Sequence, residues 1–490
     1  MSEQAVCQGM KKWYPLTEPG TYASDLSVVP SVRHEHCRVE LSRLRGKKIG
    51  LHVSSGEGEG CCALADKDGK ILEQWSDPPE ELLVPDDARF LYLSNDYTQN
   101  SDFFLLVPKG TLNKKNGFLF YEDFIHFDAL DGNDFFGALP DAEASEEGFV
   151  LPVGIENAWV LNRSTALDDW SMTAELTAPE GTEAVCLGTR ITQGRPCKHA
   201  SLCCVDLAAD ELRLYRGGSG SVLPEEVLQR ASLGGLIGKG EFTLRLERVN
   251  LAIRATVVNP ATGKSISVTQ PIMEIESETS VAGGCKAGKM FDSPQVFALS
   301  GAPRIRRLYG VAKYAPKVIF FGDSITQGAH NLPEKGWAQM CAKDIGNSIC
   351  CGRGSGDIWS CLNQVRTLVP SLQPQVMVVT IGANNREDTA SLDTVKGLYE
   401  KFIHIAEALG TILILNRITS CRPHVDATNR VIRSLGTLGS RFDLALVENN
   451  AEGGARIPAY YVADQVHLNT EGNKILHRYF MQDFPWLREL

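Results

Sequence analysis

The chain reads as a multidomain protein in which a C-terminal α/β domain, built on a parallel sheet with helices on both sides, follows two β-sandwich domains. Three observations predict this. A length of 490 residues exceeds what one ordinary core supports. The first three hundred residues alternate apolar and polar positions with a period of two. After Tyr314-Ala315-Pro316 the rhythm changes to continuous apolar runs separated by amphipathic segments of helical length.

The divisions follow from these changes: residues 1–116, 117–310 and 311–490. In the first, short apolar runs at Ile49 to Val53, Cys61 to Ala65, Ile71-Leu72, Phe90 to Leu93 and Phe103 to Val107 are broken by turn residues such as Asp66-Lys67-Asp68-Gly69-Lys70, the pattern of hairpin-linked strands. In the second, Trp170, Met172, Ala174 and Leu176 alternate with polar neighbours, as do Phe242, Leu244 and Leu246, then Ile253, Ala255 and Val257. Period two means one buried face, and the turn at Asn259 to Lys264 joins two such runs. In the third, Val318 to Phe321, Ser348 to Cys351, Val376 to Ile381, Ile412 to Leu415 and Leu444 to Val447 have the unbroken apolar character of strands buried on both faces. Leu392 to Leu409 is one of the helical segments between them. Ligands of such sheets bind beyond the carboxyl ends of the strands, which places a site before any motif is considered.

Composition narrows the function. A net charge of -11 argues against a nucleic-acid partner, whose phosphates demand clustered Lys and Arg. The 14 cysteines lack the regular spacing of a disulfide framework, and three pairs are adjacent in sequence, so reduced thiols are expected. The lone CxxH at Cys421 and His424 has no partner pair with which to hold zinc. No run approaches the length of a membrane span, and the first twenty residues hold no apolar stretch of signal-peptide length. The default expectation is a cytoplasmic chain, with a periplasmic or extracellular location requiring a leader already removed. Oligomeric state is not legible.

Four short blocks carry chemistry. Phe321-Gly322-Asp323-Ser324 sets a serine just past the first strand of the C-terminal domain, although without the glycine spacing of a nucleophile elbow. Gly354-Ser355-Gly356-Asp357 follows the second strand and Gly382-Ala383-Asn384-Asn385 the third; glycine lets a backbone N–H approach a reacting oxygen, and an Asn amide is a fixed donor. Near the C-terminus, Asp464 and His467 are three apart, a spacing that turns both side chains the same way in one helical turn, so that a carboxylate can orient an imidazole. Each block alone reads more simply as a cap or turn. Their combination is what carries information.

Together these blocks resemble the GDSL or SGNH hydrolase family, whose members share four short motifs in this order on a flavodoxin-like three-layer fold. The resemblance covers about 175 residues. It implies Ser324 as nucleophile, Asp464 and His467 as the other triad members, and the Ser324 N–H, Gly356 and Asn384 as the oxyanion hole. The family's third motif usually ends in Asp where this chain has Asn385. The two preceding β-rich blocks resemble a small sandwich module of carbohydrate-active enzymes and a concanavalin-like jelly roll.

The expected reaction is acyl transfer through an acyl-enzyme, which requires no metal and no organic cofactor. The expected substrate is a small-molecule, oligosaccharide or polysaccharide ester, most simply an acetyl ester. Trp337, Trp359, Tyr460 and Tyr461 lie near the motifs in sequence and could stack on a sugar ring, while Asp323, Asn385, Arg386 and Arg417 stand at strand ends where they could contact substrate. Lipase, lysophospholipase or thioesterase action is the alternative within the family. A binding protein with a vestigial hydrolase domain is the alternative outside it.

Overall fold

A computed structural model describes residues 10–490 except 16, 42–43, 55–60, 109–117, 119, 124–134, 137–146, 155–158, 162–163, 167–169, 190–200, 217–226, 239, 250–251, 272–289, 293, 313–314, 332–334, 386–391, 420–423 and 451–453. The first sandwich packs a four-stranded sheet on a five-stranded one, and the second packs two seven-stranded sheets, all with antiparallel pairing. Period two has the predicted outcome. Trp170, Met172, Ala174 and Leu176 are buried on one strand, Ile253, Ala255 and Val257 on another, and the loop after Val258 turns through Gly263 at φ 68°. Every described cysteine is buried and outside any disulfide.

The C-terminal domain contains four parallel strands, β1 (Val318–Gly322), β2 (Ser348–Gly352), β3 (Val376–Thr380) and β4 (Ile412–Leu415), in the spatial order β2-β1-β3-β4. Register sets Gly322 opposite both Gly352 and Thr380, so three strands end at one level. The helices are α1 (Ser324–Gln327), α2 (Trp337–Ile345), α3 (Ile358–Leu372), α4 (Leu392–Leu409), α5 (Val425–Ser434), α6 (Phe442–Ala445) and α7 (Thr470–Asp483). From β1 the chain steps to one side to make β2, then reverses past β1 to make β3 and β4. With right-handed crossovers that reversal puts α2 on one face and α3 and α4 on the other, and opens a crevice where the order switches. Helix α7 returns to pack on α2, where Trp337 is fully buried against Phe320, Phe442 and Phe480.

One expected strand is absent from its place. Leu444 to Val447 contributes to the short helix α6 and to a single bridge between Val447 and Arg456. The position beside β4 is taken instead by Leu438, whose carbonyl accepts the Leu415 N–H at 2.7 Å. At the opposite edge the sheet recruits two short strands from the middle of the chain, Ser164–Ala166 and Met290–Asp292, with Ala166 paired to Cys350. The stretch of chain that builds the second sandwich therefore also contributes edge strands to the parallel sheet.

The first sandwich is joined to the C-terminal domain by a buried ionic cluster. Glu35, fully enclosed, receives Arg366 of α3 at 3.2 Å and Lys401 of α4, with Thr17 Oγ1 and Asn95 Nδ2 donating at 2.7 and 2.9 Å. Burial alone would raise the Glu35 carboxyl, but Lys401 and Arg366 outweigh it and hold it below its ordinary value. One carboxylate shared by two cations leaves positive charge in the interior, and burial brings the Lys401 ammonium down to about 8. Asn363 exchanges two hydrogen bonds with the backbone of Thr17, and the Tyr97 ring meets the Trp359 ring edge-on at 5.4 Å. Removing the carboxylate would strand two buried cations, so Glu35→Ala should cost roughly 3–5 kcal/mol in urea denaturation. A loss below about 1 kcal/mol would mean the joint is open to water.

Candidate active site

Ser324 is the first residue of α1, one residue beyond Asp323, the helix cap. The turn from β1 into α1 is tight because Gly322 lacks a side chain: a Cβ there would sit 2.2 Å from Thr326 Oγ1 and 2.4 Å from the Thr380 carbonyl oxygen. Asp323 Oδ1 accepts the Ile325 N–H at 2.9 Å, while Gly328 at φ 76° closes the helix after one turn. As the leading residue of a helix, Ser324 has a backbone N–H with no intrahelical acceptor. Asp323 is 2% exposed, too enclosed to meet substrate, and burial raises its carboxyl to about 6 against the lowering effect of the Ile325 N–H, the His467 charge, and the Thr326 and Ala383 N–H groups.

The second part of the site is a loop rather than the expected helical turn. Tyr461 and Leu468 form a bridge, Val462 N–H donates to the His467 carbonyl at 2.9 Å, and Gln465 takes φ 57° between them. Within this turn Asp464 Oδ1 accepts the N–H groups of Val466 and His467 at 2.8 and 2.9 Å, and Oδ2 lies 2.5 Å from His467 Nδ1. Partial burial raises the Asp464 carboxyl slightly, but the ring and the two backbone donors bring it to about 2. With Nδ1 tied to a carboxylate, Nε2 is the ring's acceptor, and it lies 2.8 Å from Ser324 Oγ. The loop is fixed from outside: the Leu468 carbonyl receives Asn331 Nδ2 at 2.7 Å and Asn473 Nδ2 at 3.3 Å.

The remaining motif residues meet at the same rim. Asn384 Nδ2 donates to the Gly356 carbonyl at 3.0 Å, leaving the second amide hydrogen for another acceptor. The Gly356 N–H donates to the Arg353 carbonyl at 3.0 Å, so in this state it is engaged within its own turn. Asn385 is half-buried beside Asn384, its N–H donating to the Gly382 carbonyl at 3.2 Å.

Several of the expected aromatic and cationic contacts are engaged within the protein. Trp337 is core, Trp359 packs at the joint with Tyr97, and Tyr461 is 6% exposed with the Arg456 guanidinium 5.0 Å from its ring. Tyr460 is half-buried. Arg417 pairs with Asp443 at 2.7 Å, and Asp443 also holds Arg433 at 3.0 Å. Arg386 and Cys421 fall outside the described residues. Conversely, sequence reasoning passed over His330, whose ring centroid is 4.7 Å from that of His467 and whose Nε2 is 3.7 Å from Asp464 Oδ2. No spacing rule could have found it, because only the folded loops bring position 330 to position 464.

Residues 320–475 match the family model described as GDSL-like lipase/acylhydrolase. This segment is a GDSL-like ester hydrolase domain. Solved structures similar to it include a GDSL-like lipase from Bacteroides thetaiotaomicron, at 21% identity over 35% of this chain and 88% of that one, with a TM-score of 0.28. A psychrotrophic esterase from a Pseudoalteromonas species matches at 13% identity over 35% and 97%, with a TM-score of 0.29. An acetyl xylan esterase from Geobacillus stearothermophilus matches at 18% identity over 35% and 94%, also at 0.29. No curated protein matches the chain. Among the described residues no helix is long and apolar enough to cross a membrane.

The Asp323 environment yields a pH-dependent expectation for this GDSL-like domain. A carboxyl raised from 3.8 to about 6 on folding imposes no cost below pH 4 and a growing cost as pH rises toward 7, because the folded state must then carry a buried charge. Asp323→Asn keeps an acceptor for the Ile325 N–H without that charge. Thermal melts should show the variant gaining on the parent between pH 4 and 7, by at most roughly 3 kcal/mol; a difference independent of pH would contradict the assignment.

Proposed function

We propose that this chain hydrolyses small acyl esters, acetyl foremost, carried on carbohydrate, with Ser324 as nucleophile and His467 and Asp464 as its activating pair. The carrying observation is the relay from Asp464 Oδ2 through His467 to Ser324 Oγ, with both links at hydrogen-bond distance.

His467 Nε2 takes the Ser324 proton as Oγ attacks the ester carbonyl carbon, and Asp464, ionised throughout the working range, stabilises the imidazolium. Two donors converge on the developing oxyanion: the Ser324 N–H and the second hydrogen of Asn384 Nδ2. Gly356 orients Asn384 through its carbonyl, and its N–H joins as a third donor once its turn to Arg353 opens. His467 then returns the proton to the leaving alcohol, and water repeats the sequence on the acyl-enzyme.

The carbohydrate assignment rests on what surrounds the relay. His467 and Asp464 form a partly exposed polar rim, suited to a short acyl group and a hydroxyl-rich leaving alcohol. Both sandwiches are built into the hydrolytic domain, one through Glu35 and the other through the shared sheet, so they can present an extended substrate in a fixed orientation.

Ser324→Ala should abolish turnover of an activated acetyl ester and labelling by a fluorophosphonate while leaving the circular dichroism and melting profile unchanged; retained turnover would defeat the nucleophile assignment. Asn384→Ala should lower kcat by ~10²- to 10³-fold with little change in KM, as loss of an oxyanion donor does. Across an ester series, rates should fall sharply beyond short acyl chains. A preference for eight carbons or more would favour the lipase reading.

A further inference from the structure

His330 has no part in the proposed reaction, yet its placement is fixed. The residue adopts φ 64° at the end of the α1 turn, and its neighbour Asn331 anchors that turn to the Leu468 carbonyl. The imidazole is thereby held against the outer side of the Asp464–His467 pair. One ligand atom from each of His330, Asp464 and His467 lies within 4.8 Å of the other two. All three side chains reach solvent, at 26%, 39% and 20% exposure, so an ion could enter without unfolding the loop.

Two imidazoles and one carboxylate are the donor set preferred by borderline divalent cations such as zinc, and three protein ligands leave the fourth tetrahedral position to water. Around a tetrahedral zinc, ligand atoms stand about 3.3 Å apart. The His330–Asp464 separation of 3.7 Å is close to that, and the His467–Asp464 contact of 2.5 Å would open by under about 1 Å as the ion replaces a proton between them.

We propose that His330, Asp464 and His467 form an inhibitory zinc site. The ion takes the Nδ1 lone pair of His467, and the proton formerly on Nδ1 moves to Nε2. With Nε2 turned into a donor, the ring can no longer accept the Ser324 proton, while Asp464 is occupied by the metal. No oxidation or net proton loss is involved. The binding half of this inference stands independently of the esterase reading; the inhibitory half rests on it.

Two readouts on the full chain keep these apart. Calorimetric titration of the purified protein with zinc chloride should show one site per chain, weakened at least tenfold in His330→Asn and unchanged in His477→Asn, a control that removes a different His–Asp pair at 3.0 Å. Affinity equal in the parent and His330→Asn, or no binding in the micromolar range, would overturn the site. In parallel, zinc should suppress acetyl-ester turnover of the parent reversibly, with recovery on adding EDTA. His330→Asn should keep its basal rate and need at least tenfold more zinc for the same suppression. Zinc bound at His330 without loss of turnover would overturn the inhibitory half, and a parent chain without turnover would count against the esterase reading while the calorimetry still decides the site.

Discussion

The parallel register that sets Gly322 opposite Gly352 and Thr380 is the constraint on which the C-terminal domain turns. Because the three strands stop at one level, the loops carrying Ser324, Gly356 and Asn384 leave the sheet side by side. The missing side chain at Gly322 then brings α1 down onto the end of β3, a closeness that any Cβ would prevent. A hydroxyl, a carbonyl and an amide from three distant segments are thus assembled by backbone geometry before the Asp464–His467 turn arrives to complete the set.

That turn depends on a second layer of support. It lies outside regular structure, between the bridge at Tyr461 and the N-terminal end of α7, and its shape comes from Asp464 accepting two backbone N–H groups with one oxygen. The same carboxylate therefore shapes the loop and orients the ring, which explains why its ionised form is favoured despite its partial burial. Asn331 and Asn473 converge on the Leu468 carbonyl and tie this loop to the β1 turn and to α7. Stability and alignment are supplied by the same few polar contacts.

Much of this was legible in the residues. Four parallel strands announced themselves as apolar runs because both faces are covered, and Trp170 to Leu176 showed period two because only one face is. Leu444 to Val447 misled for a definable reason: a four-residue apolar run buries equally well as a helical turn, and nothing local says that Leu438 has already taken the place beside β4. Asp464 and His467 were identified by type and spacing, but a separation of three fits a helix and a tight turn alike, and the positive φ at Gln465 leaves no clear trace in sequence. The aromatic and cationic contacts fared worst because proximity in sequence to a motif does not fix which way a side chain points. Trp337 and Tyr461 faced inward, and Arg417 found Asp443.

The joint at Glu35 shows a different limit of sequence reading and bears on how the domains work together. Glu35 lies on an early strand, Arg366 and Lys401 on two later helices, and each alone looks like a surface charge. Burying them together is expensive and contributes little stability compared with an apolar contact of the same size. What it provides is a single geometry, since a carboxylate that must satisfy two cations, a hydroxyl and an amide tolerates no sliding. Helix α3 begins with Ile358, directly after the Gly356-Asp357 turn, and carries Arg366 two turns further on. Holding Arg366 therefore holds the helix that follows the Gly356-Asp357 turn, so the first sandwich fixes the position of Gly356 and, through its carbonyl, of Asn384.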